Sequence, residues 1–319
     1  MKLTIGFITY NESSSKYLAD FLPSLKAALS FLPESEYRVT AYDNSDKDKN
    51  INRLALEFFN YKYNTKVEYY SGEENIGFGA AYNFLINKAR KSKSEYFLII
   101  NPDTLLESDA ISKLVYALDE DKKFDAASPK VLWWDFVNST KTKQIDTCGL
   151  VLKPGIKFND LGQGKIDKGQ FDARKIVAPS GAVGLFRISA LQKIAKEGEY
   201  FDSEFFMYKE DCDLAYRFRL AKLQAKFVSK AIIYHDRTAA FYGNSLIAFI
   251  QSRKKQNKQV KMWSFKNQHL LYIKYFAKES LYSQVWVVVR IIKYFIFSLI
   301  FERYNLKLYK VLLRRASID

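Results

Sequence analysis

Leu98-Ile99-Ile100-Asn101-Pro102-Asp103-Thr104 joins a short apolar run to an abrupt polar stop. A run as short as Tyr96–Ile100 reads as a strand buried on both faces, the kind found inside a parallel sheet covered by helices. Pro102 has a fixed φ and no N–H, so it ends the sheet ladder. Asp103 then stands just past the strand, where its carboxylate can bind a hard divalent cation and leave sites for diphosphate oxygens. Read alone, the same residues fit an ordinary strand-to-helix turn equally well.

The flanking sequence keeps a βαβα rhythm. Lys2–Thr9, Tyr37–Asp43 and Lys66–Tyr70 read as strands. Ser15–Phe31 has helical spacing at Leu18, Phe21, Leu22, Leu25 and Leu29, and Gly77–Arg90 is also helical. Ser108–Leu118 predicts a further helix with Ser108 as its cap. The pattern implies an α/β fold, a Rossmann-like, mostly parallel sheet flanked by helices. Residues 126–186 hold several Gly, Pro and Lys and short apolar pieces, which predict short strands and loops that build a second site. Glu210–Leu223 reads as a helix and Lys226–Tyr234 as a strand. Beyond His235 the chain reads as helical, so a domain over 1–240 with a C-terminal helical extension over 241–319 is expected.

Three more clusters carry candidate chemistry. Ile8-Thr9-Tyr10-Asn11 and Asp43-Asn44-Ser45 follow parallel strands at the ends where open α/β sheets bind ligands. Asp43 can accept a hydrogen bond from the imide N–H of uracil or thymine, although Asx-type turns explain both stretches as well. In Glu74-Asn75-Ile76-Gly77-Phe78-Gly79 the glycines precede a helix whose backbone N–H groups can face an anion. Glycine-mediated entry into the helix is the competing explanation. In Phe205-Phe206-Met207-Tyr208-Lys209-Glu210-Asp211-Cys212-Asp213 three acids crowd a helix start. Favourable interaction with the helix dipole accounts for Glu210 or Asp213. It leaves unexplained the aromatic approach Phe205–Tyr208, which can exclude water from a carboxylate acting as general base. His235 ends the next apolar strand; it is one of two histidines, and neutral imidazole suits Mn²⁺ better than Mg²⁺.

In this order the clusters resemble family 2 glycosyltransferases, and within them a rhamnosyltransferase-like branch. Thr9-Tyr10-Asn11, Asp43-Asn44-Ser45, Asn75-Ile76-Gly77-Phe78-Gly79, Asn101-Pro102-Asp103, Ser180-Gly181-Ala182, Phe206–Leu214 and His235 carry the likeness over roughly residues 1–240. The resemblance implies a GT-A fold, with a nucleotide-sugar half at about 1–125 and an acceptor half at about 126–240. It also implies a nucleoside-diphosphate sugar donor, dTDP-rhamnose before a UDP-sugar, and Mn²⁺ or Mg²⁺ as cofactor. Thr9, Asn11 and Asp43 look like contacts to base and ribose, and Asn75, Gly77 and Asn101 like donor-site residues. Asp103 matches the family's metal-binding aspartate, with Asn101 in place of the motif's first acid, and His235 matches a later metal ligand. Asp211 matches the base that deprotonates the acceptor hydroxyl so that transfer inverts the anomeric carbon. Ser180, Gly181, Glu210 and Tyr208 look like the acceptor side. Lys209 stands where the family usually has Gly.

Charge separates the two ends of the chain. Residues 237–319 hold 16 Lys and Arg against 3 acids, whereas the first 236 hold 34 against 32. Such asymmetry implies an anionic surface as partner. Val285–Phe301 is too short and too charged, with Arg290 and Lys293, to predict a spanning helix. Aromatic residues interleaved with Lys and Arg instead suit helices that lie at a membrane surface, and each basic residue near anionic lipid adds roughly 1 kcal/mol. A saccharide acceptor linked to a polyprenyl diphosphate explains that placement. A helical pair that packs on protein or forms a homo-oligomer is the other reading of the tail. Nucleic acid is not an expected partner, because no nucleic-acid module is recognisable. A sugar-nucleotide nucleotidyltransferase would open with a Gly-rich basic loop, which Thr9-Tyr10-Asn11-Glu12-Ser13 lacks; a catalytically silent scaffold is the remaining alternative. The apolar run before Asn11 is too short for a signal peptide, and Cys148 and Cys212 have no metal or disulfide spacing. Both points lead to the expectation of a cytoplasmic enzyme at the inner face of the membrane.

Overall fold

The computed structural model describes residues 1–46, 51–236, 253–254 and 256–316. These divide into two compact units. The first takes in 1–151, 160–206 and the described residues from 210 to 236; the second takes in 152–159, 207–209 and the described residues from 253 on. The boundary expected at residue 240 lies outside the described residues.

In the first unit the chain runs through β1 (Leu3–Thr9), α1 (Asn11–Leu29), β2 (Tyr37–Asp43), α2 (Ile51–Tyr63), β3 (Val67–Ser71), α3 (Gly77–Lys91) and β4 (Tyr96–Ile100). It continues with β5 (Thr104–Leu106), α4 (Ala110–Glu120), β6 (Ala126–Asp135) and β7 (Thr140–Thr147). A hairpin of β8 (Leu150–Lys153) and β9 (Lys157–Asp160) follows, whose residues 152–159 count with the second unit, and the first unit resumes with β10 (Val183–Arg187), α5 (Ile188–Ile194), α6 (Glu210–Leu220) and β11 (Ala225–His235). The second unit holds α7 (Lys258–Tyr275), α8 (Leu281–Ile300) and α9 (Leu306–Ala316).

Four parallel strands, ordered β3-β2-β1-β4, make one half of the sheet. Beyond β4 the pairing is mixed. β10 runs antiparallel to β4 and β6, β11 parallel to β6, and β5 antiparallel to β11, while β7 pairs antiparallel with β6. The apolar run of β4 follows from burial on both faces. Tyr96, Leu98 and Ile100 pack in a core with Phe21, Leu25 and Leu114 of α1 and α4. Phe97 and Ile99 point the other way, into a core with Leu85 and Ile86 of α3 and Phe218 of α6. Successive strand residues face opposite sides, so both helical layers need every position of β4 to be apolar. Each such side chain stabilises the fold by about 1.5–3 kcal/mol when fully buried.

Two local details differ from the sequence reading. Helix α4 begins at Ala110, after Asp109, and no side chain caps it, so Ser108 is not its cap. Helix α2 occupies a stretch to which the sequence reading assigned no element; it buries Asn52, Leu56 and Phe59.

In the second unit, Phe265 and His269 of α7 pack edge-on against Tyr294 of α8 and Tyr309 of α9. The rest of α8 is largely uncovered. Leu281, Val285, Val288, Ile292, Ile296 and Leu299 form an exposed stripe along it at helical spacing. Among the described residues α8 is the one helix long and apolar enough to cross a membrane by length and composition, which corrects the reading of Val285–Phe301 as too short and too charged: the helix starts four residues earlier, at Leu281.

Candidate active site

The sheet brings the first two clusters together by register. Thr9 and Asp43 are partners at the ends of β1 and β2, and Asn44 N–H donates to Thr9 O at 2.8 Å. Asp43 is 1% exposed. Its Oδ1 accepts from the Ser45 backbone N–H (3.0 Å) and the Ser45 hydroxyl, and its Oδ2 accepts from the Tyr69 hydroxyl (2.9 Å). Asn52 donates through Nδ2 to Asn11 O and Ser45 Oγ, and the Asn11 N–H donates to Ser45 Oγ. Asn52 and Tyr69 are absent from the sequence-level site. Neither sits in a motif, and only the packing of α2 and β3 on the end of β2 brings them there.

Asn44 extends this network to the glycine turn. Its Nδ2 donates to Gly77 O and its Oδ1 accepts from Ile76 N–H. Gly77 has φ +84°, and a Cβ there would lie 2.5 Å from Phe206 O, so both backbone shape and space require glycine. Phe78 N–H donates to the same Phe206 O at 2.8 Å, which ties the turn to the chain just before α6. Asn75 uses its Oδ1 to accept the Gly77 N–H, so that oxygen shapes the turn.

The third and fourth clusters meet through Gly181 and Ala182, just before β10. Asn101 N–H donates to Ala182 O at 2.9 Å, the last rung before Pro102. Gly181 N–H donates to Asp211 Oδ2 at 3.1 Å, and a Cβ on Gly181 would lie 3.3 Å from Asp211 Cβ. Asp211 Oδ1 accepts its neighbour Cys212 N–H. Each Asp211 oxygen therefore holds one backbone donor and keeps a further lone pair for a hydroxyl. Asp213 has a different role: it is fully buried and paired with Arg217 at 2.8 Å, a bond inside α6. Glu210 is buried at the helix start. Tyr208 belongs to the second unit, where its backbone O accepts from Asn267.

His235 lies between two carboxylates. Its Nε2 is 3.2 Å from Asp103 Oδ1 and its Nδ1 is 2.8 Å from Asp146 Oδ2. Burial alone would lower its pKa, but the two carboxylates outweigh burial and raise it to about 10. The ring is therefore a charged imidazolium at neutral pH. Asp103 Oδ1 is buried, and its approach to Nε2 lacks the alignment of a hydrogen bond. A hard cation with ligands at about 2.1 Å in octahedral geometry sets neighbouring ligand atoms about 3 Å apart, close to the spacing seen here. Asp103 and His235 thus fit as a two-ligand cation site, and among the described residues no group of three or more His, Cys, Asp or Glu side chains does. Asp146 was absent from the sequence reading. A lone acid beside Ile145 in a strand was the available signal, because buried acids are rare unless paired. Thr9 Oγ1, Asn52 Oδ1 and Ser180 Oγ are also buried without a hydrogen bond among the described residues. Such atoms in a native fold call for a ligand or water.

The mixed α/β sheet, with its polar clusters at the strand ends, is a GT-A fold, the architecture it shares with solved glycosyltransferases. Residues 4–194 match the family described as Glycosyl transferase family 2, and the chain belongs to that family. It is 26% identical to rhamnosyltransferase WbbL of Escherichia coli (strain K12) over 247 residues, covering 74% of this chain and 86% of that protein. Among solved structures it resembles S. aureus TarS, with a TM-score of 0.50 and 16% identity over 88% of this chain. There it spans about half of the partner's length, 46%. It also resembles the mannosyltransferase PcManGT from Pyrobaculum calidifontis, solved with GDP-Man and Mn²⁺, with a TM-score of 0.51 and 13% identity over 99% of this chain and 86% of that one.

Proposed function

We propose that this glycosyltransferase moves a sugar, with inversion, from a nucleoside-diphosphate donor to a hydroxyl of a saccharide acceptor, and that Asp211 is the base. The observation that carries the reading is the pair of backbone bonds Asn101–Ala182 and Gly181–Asp211, which joins the Asp103 turn to the candidate base through one short segment. Asp211 takes the proton from the acceptor hydroxyl, and the oxygen attacks the anomeric carbon from the face opposite the nucleotide. Asp43 and Asn11, fixed by Ser45 and Asn52, hold the base and ribose, and Thr9 Oγ1 offers them a further contact. Ser180 and Glu210 border the acceptor. A divalent cation held by Asp103 and His235 would offset the charge that develops on the departing diphosphate. Support for the cation comes from the fit of those two side chains and from the Mn²⁺ bound to PcManGT. Likeness to a rhamnosyltransferase favours rhamnose as the sugar.

The reading extends to place. The exposed stripe of α8, in the part of the chain that carries the positive charge, suits a peripheral position on an anionic membrane at its cytoplasmic side, within reach of a lipid-diphosphate-linked acceptor. Arg290 lies at the middle of α8 and packs on the β8–β9 turn: a Cβ on Gly155 would lie 2.7 Å from its Nε. A charged side chain tied to protein at mid-helix favours a helix lying in the surface over one crossing it.

A panel of nucleotide sugars, each with and without Mn²⁺ and scored for nucleoside diphosphate release, tests the chemistry. Release from dTDP-rhamnose that depends on Mn²⁺ and on acceptor is expected; no release from any donor would overturn the reading. Flotation with anionic liposomes at low salt tests the location. A dimer by light scattering, with no vesicle binding, would assign the stripe to a second copy instead.

A further inference from the structure

Asp146 lies on β7, separated from β11 by β6. It is 0% exposed, and it reaches across β6 to the His235 ring at the end of β11. No motif in the sequence points to it, and the chemistry above assigns it no step. A carboxylate buried in a sheet is costly unless donors hold it.

We propose that Asp146 is the positioning residue of the cation site: it accepts the Nδ1–H of His235, fixes the ring and presents Nε2 beside Asp103 Oδ1. The inference rests on reading Asp103 and His235 as the cation's ligands. An imidazole ring that binds a metal through one nitrogen carries its proton on the other, and the partner of that second nitrogen decides which is which. Here both nitrogens face a carboxylate, and a bound cation displaces the proton from only one of them. Distance and exposure decide between them. Asp146 is at 2.8 Å and wholly inside the sheet, whereas Asp103 is at 3.2 Å with its side chain 27% exposed. The proton therefore stays on the Asp146 side, and Nε2 is left beside Asp103 Oδ1, a buried oxygen on a side chain that is itself partly exposed.

The opposite assignment fails on geometry. The two ring nitrogens point in divergent directions, so a cation on Nε2 is out of reach of Asp146. Asp146 acts through His235, as a hydrogen-bond acceptor that holds the ring and makes it a stronger ligand. Outer partners of this kind typically change metal affinity 10–100-fold.

Calorimetric titration of Mn²⁺ into the full chain without a sugar donor tests this, comparing wild type, Asp146→Ala, Asp146→Asn, His235→Ala and both double variants. Asp146→Ala is expected to bind Mn²⁺ about 10–100-fold more weakly. Asp146→Asn keeps an acceptor for Nδ1–H and is expected to lose less. In the His235→Ala background neither change at Asp146 should weaken binding further, because the ring it acts on is gone; a general structural defect would add its loss in both backgrounds. Thermal unfolding reports which variants keep the fold, and if Asp146→Ala does not, the Asp146→Asn cycle carries the test. Equal Mn²⁺ affinity in wild type and Asp146→Ala, or the same loss with and without His235, would overturn the positioning role alone. Wild-type protein that binds no Mn²⁺ would overturn the cation reading and this inference with it.

Discussion

Asp43 ends one parallel strand and Asp103 follows another in the same sheet, and their surroundings are opposite. Asp43 is closed off, with Ser45 donating to one oxygen and Tyr69 to the other. Asp103 is partly open, and among the described residues one of its oxygens faces His235 without a hydrogen bond. The chain completes the first carboxylate by itself and leaves the second to be completed. In the proposed reading, the difference teaches that the nucleotide end is held in place before a donor arrives, whereas the reacting end reaches its final charge balance only with ligands bound. Each prediction below either separates the two ends further or collapses the distinction.

The largest effect is expected at the reacting end. Asp211→Asn removes the proton acceptor and keeps the shape, so turnover should fall by about 10²–10⁴-fold. The fold should survive with a loss of no more than about 1–3 kcal/mol, because Asn Oδ1 can accept only one of the Gly181 and Cys212 N–H groups that Asp211 holds. Steady-state assays beside a melting curve check both halves. Turnover within a few-fold of wild type would move the base elsewhere.

The next effect is a pH dependence. The two carboxylates raise the His235 pKa from 6.5 to about 10, so below that pH a cation must displace a proton from Nε2. Mn²⁺ affinity should therefore rise about tenfold per pH unit between pH 6 and 8. Stability of the metal-free protein should run the other way. A pKa raised in the folded state means that the bound proton stabilises the fold fully below about 6.5, and that this contribution is lost as pH rises toward 10. Melting curves across that range should show a larger fall in wild type than in His235→Asn. Mn²⁺ affinity that does not change with pH would mean that the ring is already neutral, and the reacting end would then be as settled as the nucleotide end.

Much of this arrangement was legible in the sequence, for reasons that differ by element. Strand β4 was legible because a run of five apolar residues closed by Asn-Pro-Asp has few other folds. The positions of Thr9, Asp43, Gly77 and Asp103 followed from the rule that polar residues at parallel strand ends gather on one edge. The mixed half of the sheet was visible only as short apolar pieces. β6, β10 and β11 pair across long sequence separations, and their order leaves no periodic trace. Asn52 and Tyr69 were invisible for the same reason, because each matters through a neighbour distant in sequence, and Asp146 left only the trace of a lone acid beside Ile145. Tyr208 was legible as part of an aromatic run, but the unit it joins was not.

A smaller effect belongs to the nucleotide end. Asp43→Ala takes the acceptor away from the Ser45 N–H, the Ser45 hydroxyl and the Tyr69 hydroxyl, and leaving buried donors unsatisfied costs about 1–3 kcal/mol. Denaturant unfolding without ligand should show that loss. Asp103→Ala, measured in the same way without metal above pH 10, where the His235 ring is neutral, should cost less, since among the described residues Asp103 Oδ1 has no hydrogen bond to lose. Equal losses would erase the contrast between the two carboxylates.

The smallest effect tests how the rigid end is built. Tyr69 lies on the edge strand β3, half-buried, and its hydroxyl donates to Asp43 Oδ2 at 2.9 Å. Tyr69→Phe deletes that one donor and leaves the Ser45 bonds to Oδ1 in place. A single hydrogen bond of this kind contributes about 0.5–1.5 kcal/mol net, so stability should fall by that amount. Nucleotide affinity should fall by a similar factor if Asp43 must be held still to read a base. The two losses are separable. A drop in stability alone would mean that Oδ2 is held for the fold, with the nucleotide contact made elsewhere. No drop in either would mean that Ser45 and Asn52 suffice to fix the carboxylate, and that the rigid end depends on the β2–α2 connection and not on β3.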